Sequence, residues 1–370
     1  METRYNIKLL PPTFSPWEPA KSADRQVAVL MSGGVDSSVT AHLLKSAGWD
    51  VLGITMKVPV ACDTGRRGCC GADAAFVCNE LALPHYFVDV TEAFHDVIIQ
   101  PFRAAYSHAR TPNPCVDCNT FLKFSLVWDR VQEEFGISQL ATGHYARVIR
   151  DGRNAYLRRA VDKDKDQSYF LYGIPGHRLS DLFLPLGDLT KQQVRATAAE
   201  LGLSVADKAE SMELCFAGEQ DYRRALENSA TNHPGGMTDM QGKKIGEHKG
   251  IANYTLGQRR GLGFAGGQPL YVGRIDAIHN TVALGTREEV STRVVQAACC
   301  NTLVPERLVH EARLLGKIRS YGDPRPCRLT ELAADGLAVE FDEPQFAPCP
   351  GQRLVLYDES DNIVAGGVIQ

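Results

Sequence analysis

Several things are missing from this chain of 370 residues. No stretch is long and apolar enough to read as a membrane span. The first 25 residues, METRYNIKLLPPTFSPWEPAKSADR, carry prolines and charges where a secretory signal would have an apolar core. A cytoplasmic protein with no membrane partner is expected. Nor is there an excess of positive charge: 40 Lys and Arg stand against 44 Asp and Glu, a formal net charge of -4. That excludes a protein that coats nucleic acid through bulk charge and leaves room for a local basic face. Low-complexity tracts and internal repeats are absent too. With 44% apolar and 23% charged residues, the composition is that of an ordinary globular protein of two or three domains.

One further absence is local. The segment AVLMSGGVDSSVTAHLL, residues 28 to 44, has the apolar run, glycine pair and polar helix start of a phosphate-binding turn, but not the lysine of G-x-x-x-x-G-K-[ST]. Gly33 and Gly34 let backbone N–H groups approach an anion, and Ser37 and Ser38 open a helix whose first turn carries partial positive charge. A cradle built of amides suits a pyrophosphate that departs whole, after a substrate oxygen attacks the α-phosphorus of ATP. Asp36 is then placed to hold Mg2+ on the leaving group.

Cysteine is not scarce. Eleven cysteines in a reducing compartment do not read as a disulfide framework, so their spacing is read for catalysis or metal binding. Cys78, Cys299, Cys300, Cys327 and Cys349 are expected to be small buried hydrophobes. Cys115 and Cys118 form a C-x-x-C within ARTPNPCVDCNTFLKF, just ahead of a helix whose dipole would favour a thiolate. Cys215 sits in ESMELCFAGEQDY. Structural zinc, with GCCGAD at 68 to 73 as the nearest further ligand source, and inert core cysteines are the alternatives.

From residue 26 to about 145, QVAVLM, DVLGITM, HYFVDV and SQLATGHY read as strands alternating with helical stretches such as TEAFHDVIIQPFRAAYSHA. This predicts an α/β parallel sheet, with ligands beyond the carboxyl ends of its strands. After residue 220 the chain becomes Gly-rich and basic. From about 292, LAVEF, RLVLYD and NIVAGGVIQ alternate like antiparallel strands of a small β-barrel. Two stretches combine cations with aromatics: ARVIRDGRNAYLRRA, with five arginines, and residues 243 to 274, with six Lys and Arg and with Tyr254, Phe264 and Tyr271 interleaved. These suit RNA binding, Arg158 and Arg159 included, or are solvated surface charge.

In order along the chain, SGGVDSS, ARTPNPCVDCN, ATGHYAR, KDQSYFLY, the CFAGE around Cys215, GEHKG, TLGQRRGLG and a terminal PGQ resemble the bacterial tRNA 2-thiouridylase family from about residue 26 to 370. The resemblance implies an N-terminal extension (1–25), a PP-loop ATP pyrophosphatase domain (26–219), a central tRNA-binding domain (220–290) and a C-terminal β-barrel (291–370). It implies that Leu30, Met31, Ser32, Gly33, Gly34, Val35, Asp36 and Ser37 bind ATP, with Met56 by the adenine and Gly143 also at the nucleotide. Cys118 matches the nucleophile and Cys215 the persulfide carrier. Asn113, Pro114, Cys115, Lys165, Asp166, Gln167, Arg319 and Ser320 match tRNA contacts, and His144 and Gln352 match residues that assist recognition of the target base. The implied partners are tRNA and a sulfur donor, either a cysteine desulfurase or a relay protein.

The chain departs from the family pattern in places. The usual Asp-Ser-Thr-Gly-Ile is Glu210-Ser211-Met212-Glu213-Leu214 here, and the segment holding Cys69 and Cys70 is shorter than usual. Cys115 stands where other members carry aspartate, and three thiols at Cys115, Cys118 and Cys215 permit a 4Fe-4S cluster. Two other functions stay open at this point. Another PP-loop adenylating ligase would need the turn but neither cysteine; a non-catalytic metal- and RNA-binding protein would need neither ATP nor Asp36.

Overall fold

The computed structural model describes residues 5, 7–59, 70–209, 214–216, 233–263 and 267–370. Cys69, the side chain of Cys70, Glu210 to Glu213 and Phe264 lie outside that description. The chain divides into two compact units, Met1–Ile98 with Cys115–Gly218 and Asp361–Ile363, and Ile99–Pro114 with Glu219–Ser360 and Val364–Gln370.

The first unit is built on a six-stranded sheet. β1 (Lys8–Leu9) runs antiparallel at the edge, beside β4 (His85–Asp89). β4, β3 (Asp50–Lys57), β2 (Gln26–Leu30), β5 (Gln139–Thr142) and β8 (Leu182–Phe183) follow in parallel. Strands covered on both faces become apolar throughout, and Val27, Ala28 and Val29 of β2 are fully buried. The chain leaves β2 through α1 (Val35–Ser46) to β3, and then through α2 (Cys70–Glu80) to β4. It returns on the other side of β2 as β5, after the helical stretch Pro114–Asp117, Cys118–Val127 and α3 (Trp128–Phe135). The order therefore reverses between β2 and β5, the place where such sheets open a crevice at the carboxyl ends of their strands. β6 (Ala146–Asp151) and β7 (Asn154–Arg159) form a hairpin, and α4 (Lys191–Glu200) follows β8. Thr190 starts α4 with a capping box, its hydroxyl accepting from the Gln193 amide while the Gln193 side chain accepts from its own.

The second unit contains the helix Gln100–Ser107 and two β structures. β9 (Gly235–Asp239), β10 (Lys244–His248), β11 (Tyr271–Asp276) and β12 (Thr281–Gly285) form a sheet ordered β10-β9-β12-β11. Its small core gathers Met237, Ile251, Tyr254, Leu262, Val272, Val282 and Leu284. β13 (Ser291–Thr302), β14 (Arg313–Lys317), β15 (Arg325–Ala333), β16 (Gly336–Phe346), β17 (Arg353–Tyr357) and β18 (Ile363–Ile369) close into a barrel. Closure leaves no free sheet edge. The alternating runs expected to be strands of this barrel are β16, β17 and β18. Of the cysteines expected in the core, Cys78 and Cys327 are buried, Cys300 and Cys349 are half-buried, and Cys299 is exposed at φ +51°. A kink in β13, where the register shifts between Ala298 and Asn301, turns that side chain outward.

Candidate active site

The turn after β2 is organised before any ligand arrives. Leu30 ends the strand, and Met31 donates its N–H to the Ile54 carbonyl at 2.7 Å. Gly33 takes φ +70°, and Gly34 is the N-cap of α1, which Val35 opens. The Ser37 hydroxyl donates to the Gly34 carbonyl at 3.1 Å and accepts the Ser32 N–H at 3.2 Å, while Ser38 donates to the same carbonyl at 2.9 Å. The two serines therefore tie the loop back onto the first turn of its helix. Gly143, following β5, packs onto that turn: a Cβ there would lie 2.8 Å from the Asp36 carbonyl carbon and the Ser37 nitrogen, so only glycine fits. Met56 lies half-buried near the end of β3.

The cation missing from the loop comes from elsewhere. Lys191, at the start of α4, places its ammonium 2.7 and 2.8 Å from the two Asp36 carboxylate oxygens, and the Tyr145 hydroxyl donates to one of them at 2.8 Å. Lys208 donates to the Gly33 carbonyl at 2.8 Å and to Asp73 at 2.5 Å. Sequence reasoning missed Tyr145, Lys191 and Lys208 as site residues. The capping box at Thr190 was a readable sign that Lys191 begins a helix, but nothing local announces Lys208. Asp36 is thus already paired with a cation. Among the described residues no group of three or more His, Cys, Asp or Glu side chains is arranged to hold a metal ion.

The thiols are nevertheless neighbours. Cys118 is buried where the helix Pro114–Asp117 passes into the π-helical Cys118–Val127, a distortion often found at functional sites. Phe216 packs edge-on against Phe94, ring centroids 6.0 Å apart, which places the adjacent Cys215. Burial pushes the Cys215 thiol up to about 12, and the nearby Cys118 and Cys115 push it the same way. Desolvation also raises Cys118 and Cys115, although Cys115 and Cys215 are reached by solvent. The thiolate expected from a helix dipole is thus corrected: desolvation outweighs it, and these thiols are protonated at neutral pH. One cation opposes that trend. Lys123, whose ammonium donates to Asn119 Oδ1 at 2.9 Å, lowers all three thiols and was also missed from the sequence. His144 accepts at or donates from Nδ1 to Thr142 Oγ1 at 2.8 Å; burial first, and then Lys123, holds its pKa well below the ordinary value, so the ring is neutral.

The remaining expected site residues fall into two groups. Asp166 is buried and committed to the protein: it accepts from Arg159 at 3.2 Å, from the Ala160 and Ser168 amides and from the Ser168 hydroxyl. Gln167 accepts the Tyr145 N–H at 3.0 Å, and Lys165 beside it is half-buried. In the second unit, Gln352 donates to the carbonyls of Thr111 and Pro112 at 3.0 and 3.2 Å, bracing the segment that leads to the buried Asn113 and Pro114. Arg319 and Ser320 are exposed. In the arginine-rich hairpin, Arg150 and Arg153 are exposed. Arg159 is 6% exposed and paired with Asp166 and Asp361, Arg158 donates to Asn362, and Arg147 and Arg150 donate to backbone carbonyls. Tyr254, expected to be available for stacking, is buried.

A class follows from this arrangement: a parallel α/β nucleotide-binding domain with its loop at the switch point of the sheet, thiols nearby in the same unit, and a closed β-barrel further along the chain. Residues 25–219 match the family model described as the tRNA methyl transferase HUP domain, 223–286 the tRNA methyl transferase PRC-barrel domain, and 295–369 the aminomethyltransferase beta-barrel domain. The tRNA-specific 2-thiouridylase MnmA of Acetivibrio thermocellus is 40% identical over 358 residues, covering 94% of this chain and 99% of that protein. Its namesake in Pelotomaculum thermopropionicum is 41% identical over 356 residues, covering 93% and 97%, and MnmA 1 of Syntrophus aciditrophicus is 42% identical over 352 residues, covering 94% and 93%. The chain belongs to the tRNA-specific 2-thiouridylase MnmA family.

Proposed function

We propose that the protein is a tRNA-uridine 2-sulfurtransferase. In this reading it adenylates the C2 oxygen of the wobble uridine in the tRNAs for Lys, Glu and Gln, and then replaces that oxygen with sulfur carried as a persulfide on Cys215. The observation that carries the reading is the segment Thr142–Tyr145. Gly143 packs on the nucleotide loop, Tyr145 holds Asp36, and His144 lies within the influence of Lys123, the cation that also bears on Cys115, Cys118 and Cys215.

The chemistry requires both halves. The C2 carbonyl of a uracil is a poor electrophile without a leaving group. Attack of its oxygen on the α-phosphorus forms an O–P bond and expels pyrophosphate, which the loop amides of Gly33 to Ser37 receive. The terminal persulfide sulfur then bonds to C2, and AMP departs with the C2–O electron pair. Cys118, once its thiol proton has passed to water, attacks Cys215 Sγ as thiolate, and the broken S–S bond leaves its electrons on the new thiouridine sulfur. The Cys118–Cys215 disulfide that remains is reduced by a dithiol before the next cycle. In the same reading Mg2+ travels with the ATP phosphates, a cysteine desulfurase or relay protein reloads Cys215, and the setting is the cytoplasm. Asn113, Pro114, Cys115, Lys165, Asp166, Gln167, Arg319 and Ser320 are the tRNA contacts in this reading, and His144 and Gln352 each assist recognition of the target base.

The test is nucleoside mass spectrometry of tRNA from cells with and without the gene, paired with assays of the purified protein. Loss of 2-thiouridine on deletion, with Cys118→Ser and Cys215→Ser releasing pyrophosphate in a tRNA-dependent manner but making no 2-thiouridine, is expected. Full 2-thiouridine from Cys118→Ser removes Cys118 from the sulfur-release step, 2-thiouridine unchanged by the deletion indicates an adenylating ligase of the same fold with another substrate, and pyrophosphate release indifferent to tRNA removes the RNA substrate.

A further inference from the structure

The second unit carries a pair of arginines held in an unusual way. Arg287, on the turn after β12, lies over the Phe346 ring with its guanidinium carbon 4.8 Å from the centroid. Arg319, after β14, lies 5.9 Å from the same centroid and donates to the Phe346 carbonyl. Tyr271 meets that ring edge-on at 5.0 Å. Both guanidinium side chains belong to exposed residues, and among the described residues neither faces a carboxylate within ion-pair distance. Two residues beyond Arg319, Tyr321 is 89% exposed.

The contrast with the arginines of the first unit decides what this pair is for. Arg159 is buried and neutralised by two carboxylates, and Arg158 is bound to an amide. Arg287 and Arg319 have no carboxylate partner among the described residues and are held by an aromatic ring, Arg319 also by the Phe346 carbonyl. Stacking occupies the face of a guanidinium and leaves its in-plane N–H groups pointing outward, the geometry that grips phosphate oxygens in pairs. Phe346 therefore spaces two such forks on one rigid support, and an exposed tyrosine stands close in sequence to one of them. A partner that presents closely spaced anionic oxygens together with aromatic faces matches all three features, and RNA does so.

We propose that Arg287 and Arg319, stacked on Phe346, form a clamp for the phosphodiester backbone of the RNA substrate, with Tyr321 as an adjoining stacking surface. The proposal rests on the tRNA reading above and extends it to Arg287 and Phe346, which that reading does not use. The clamp fixes the register of the RNA on the second unit and takes no part in the chemistry.

The measurement is tRNA affinity across a salt series for the full chain, with a melting curve for every variant. Arg287→Ala is expected to weaken tRNA binding about fivefold to tenfold at 0.15 M salt and to flatten the slope of log K against log salt by about one unit, the signature of one lost phosphate contact. Phe346→Leu, which keeps both charges and removes their support, is expected to weaken binding with the slope nearly unchanged. ATP binding stays at the wild-type value in both. If Arg287→Ala lowers the melting temperature but leaves affinity and slope unchanged, the arginine is a structural strap and the proposal fails. If binding of a membrane vesicle or an acidic peptide changes with Arg287 while tRNA binding does not, the surface serves another partner and the proposal also fails. Wild-type protein that does not bind tRNA would instead overturn the functional reading itself.

Discussion

The nucleotide loop and the thiol group occupy the same unit and differ in how their charge is managed. At the loop, Asp36 is matched by Lys191 and a phenol, and the Gly33 carbonyl by Lys208. At the thiols, one ammonium, that of Lys123, opposes desolvation that keeps three sulfurs protonated. In the first region the charged groups already have partners within the protein. The second is unreactive at neutral pH until something removes a proton, which protects exposed sulfur from oxidation and alkylation between turnovers. Charge matched at the loop and thiols held protonated thus arise in one domain from the same device, the number of lysines supplied to each place.

The largest effect expected from disturbing this balance is at Asp36. Asp36→Ala should cut tRNA-dependent pyrophosphate release about a thousandfold, roughly 4 kcal/mol of barrier, while tRNA affinity stays within a factor of about two. Because removing the carboxylate strands the Lys191 ammonium, Asp36→Asn is the companion variant: it keeps the acceptor for Tyr145 and Lys191 and loses only charge. Pyrophosphate release near the wild-type rate in Asp36→Asn would show that the carboxylate is there to hold Lys191 rather than to serve the phosphates.

A second expectation, somewhat smaller, concerns the arginine hairpin. Arg159→Ala should lower stability by about 3 kcal/mol, since it leaves the Asp166 carboxylate buried with its cation gone. The salt dependence of tRNA binding should not move, and a flattened slope without loss of stability would return Arg159 to the RNA-binding surface. This residue also shows where the sequence stopped being informative. Strand runs such as QVAVL and the SGGVDSS turn were legible because their signal is local: apolar continuity, a glycine pair, a helix start. The barrel was legible from period-two alternation. Whether an arginine faces solvent or a buried carboxylate depends on which distant residue folds against it. Arg159 pairs with Asp361, 202 positions away, and no composition count reveals that. The same reason hid Lys191, 155 positions from Asp36, and Lys208, 175 from Gly33. It also made the thiolate expectation fail, because the helix start is visible in the sequence and the degree of burial is not.

The smallest effect is the most direct probe of the contrast between the regions. Lys123 favours the thiolate at Cys115, Cys118 and Cys215, so Lys123→Met should push each of these thiols further up. Below its pKa the thiolate fraction of a cysteine rises about tenfold per pH unit, so alkylation of Cys215 should climb with unit slope from pH 7 to 10, and the variant should follow a parallel line displaced downward by a few-fold to about tenfold. Cys349 supplies the internal control. Burial pushes that thiol up to about 11, but the cation acting on it is Arg319, so its alkylation should be the same in both proteins. Peptide mapping by mass spectrometry reads the two sites in one experiment. Equal displacement at both cysteines would mean that the substitution loosened the fold generally, and no displacement at Cys215 would mean that Lys123 does not govern the sulfur centre. A displacement confined to Cys215, reversed by Lys123→Arg, would leave a single lysine as the difference between a dormant thiol and one within reach of ionisation.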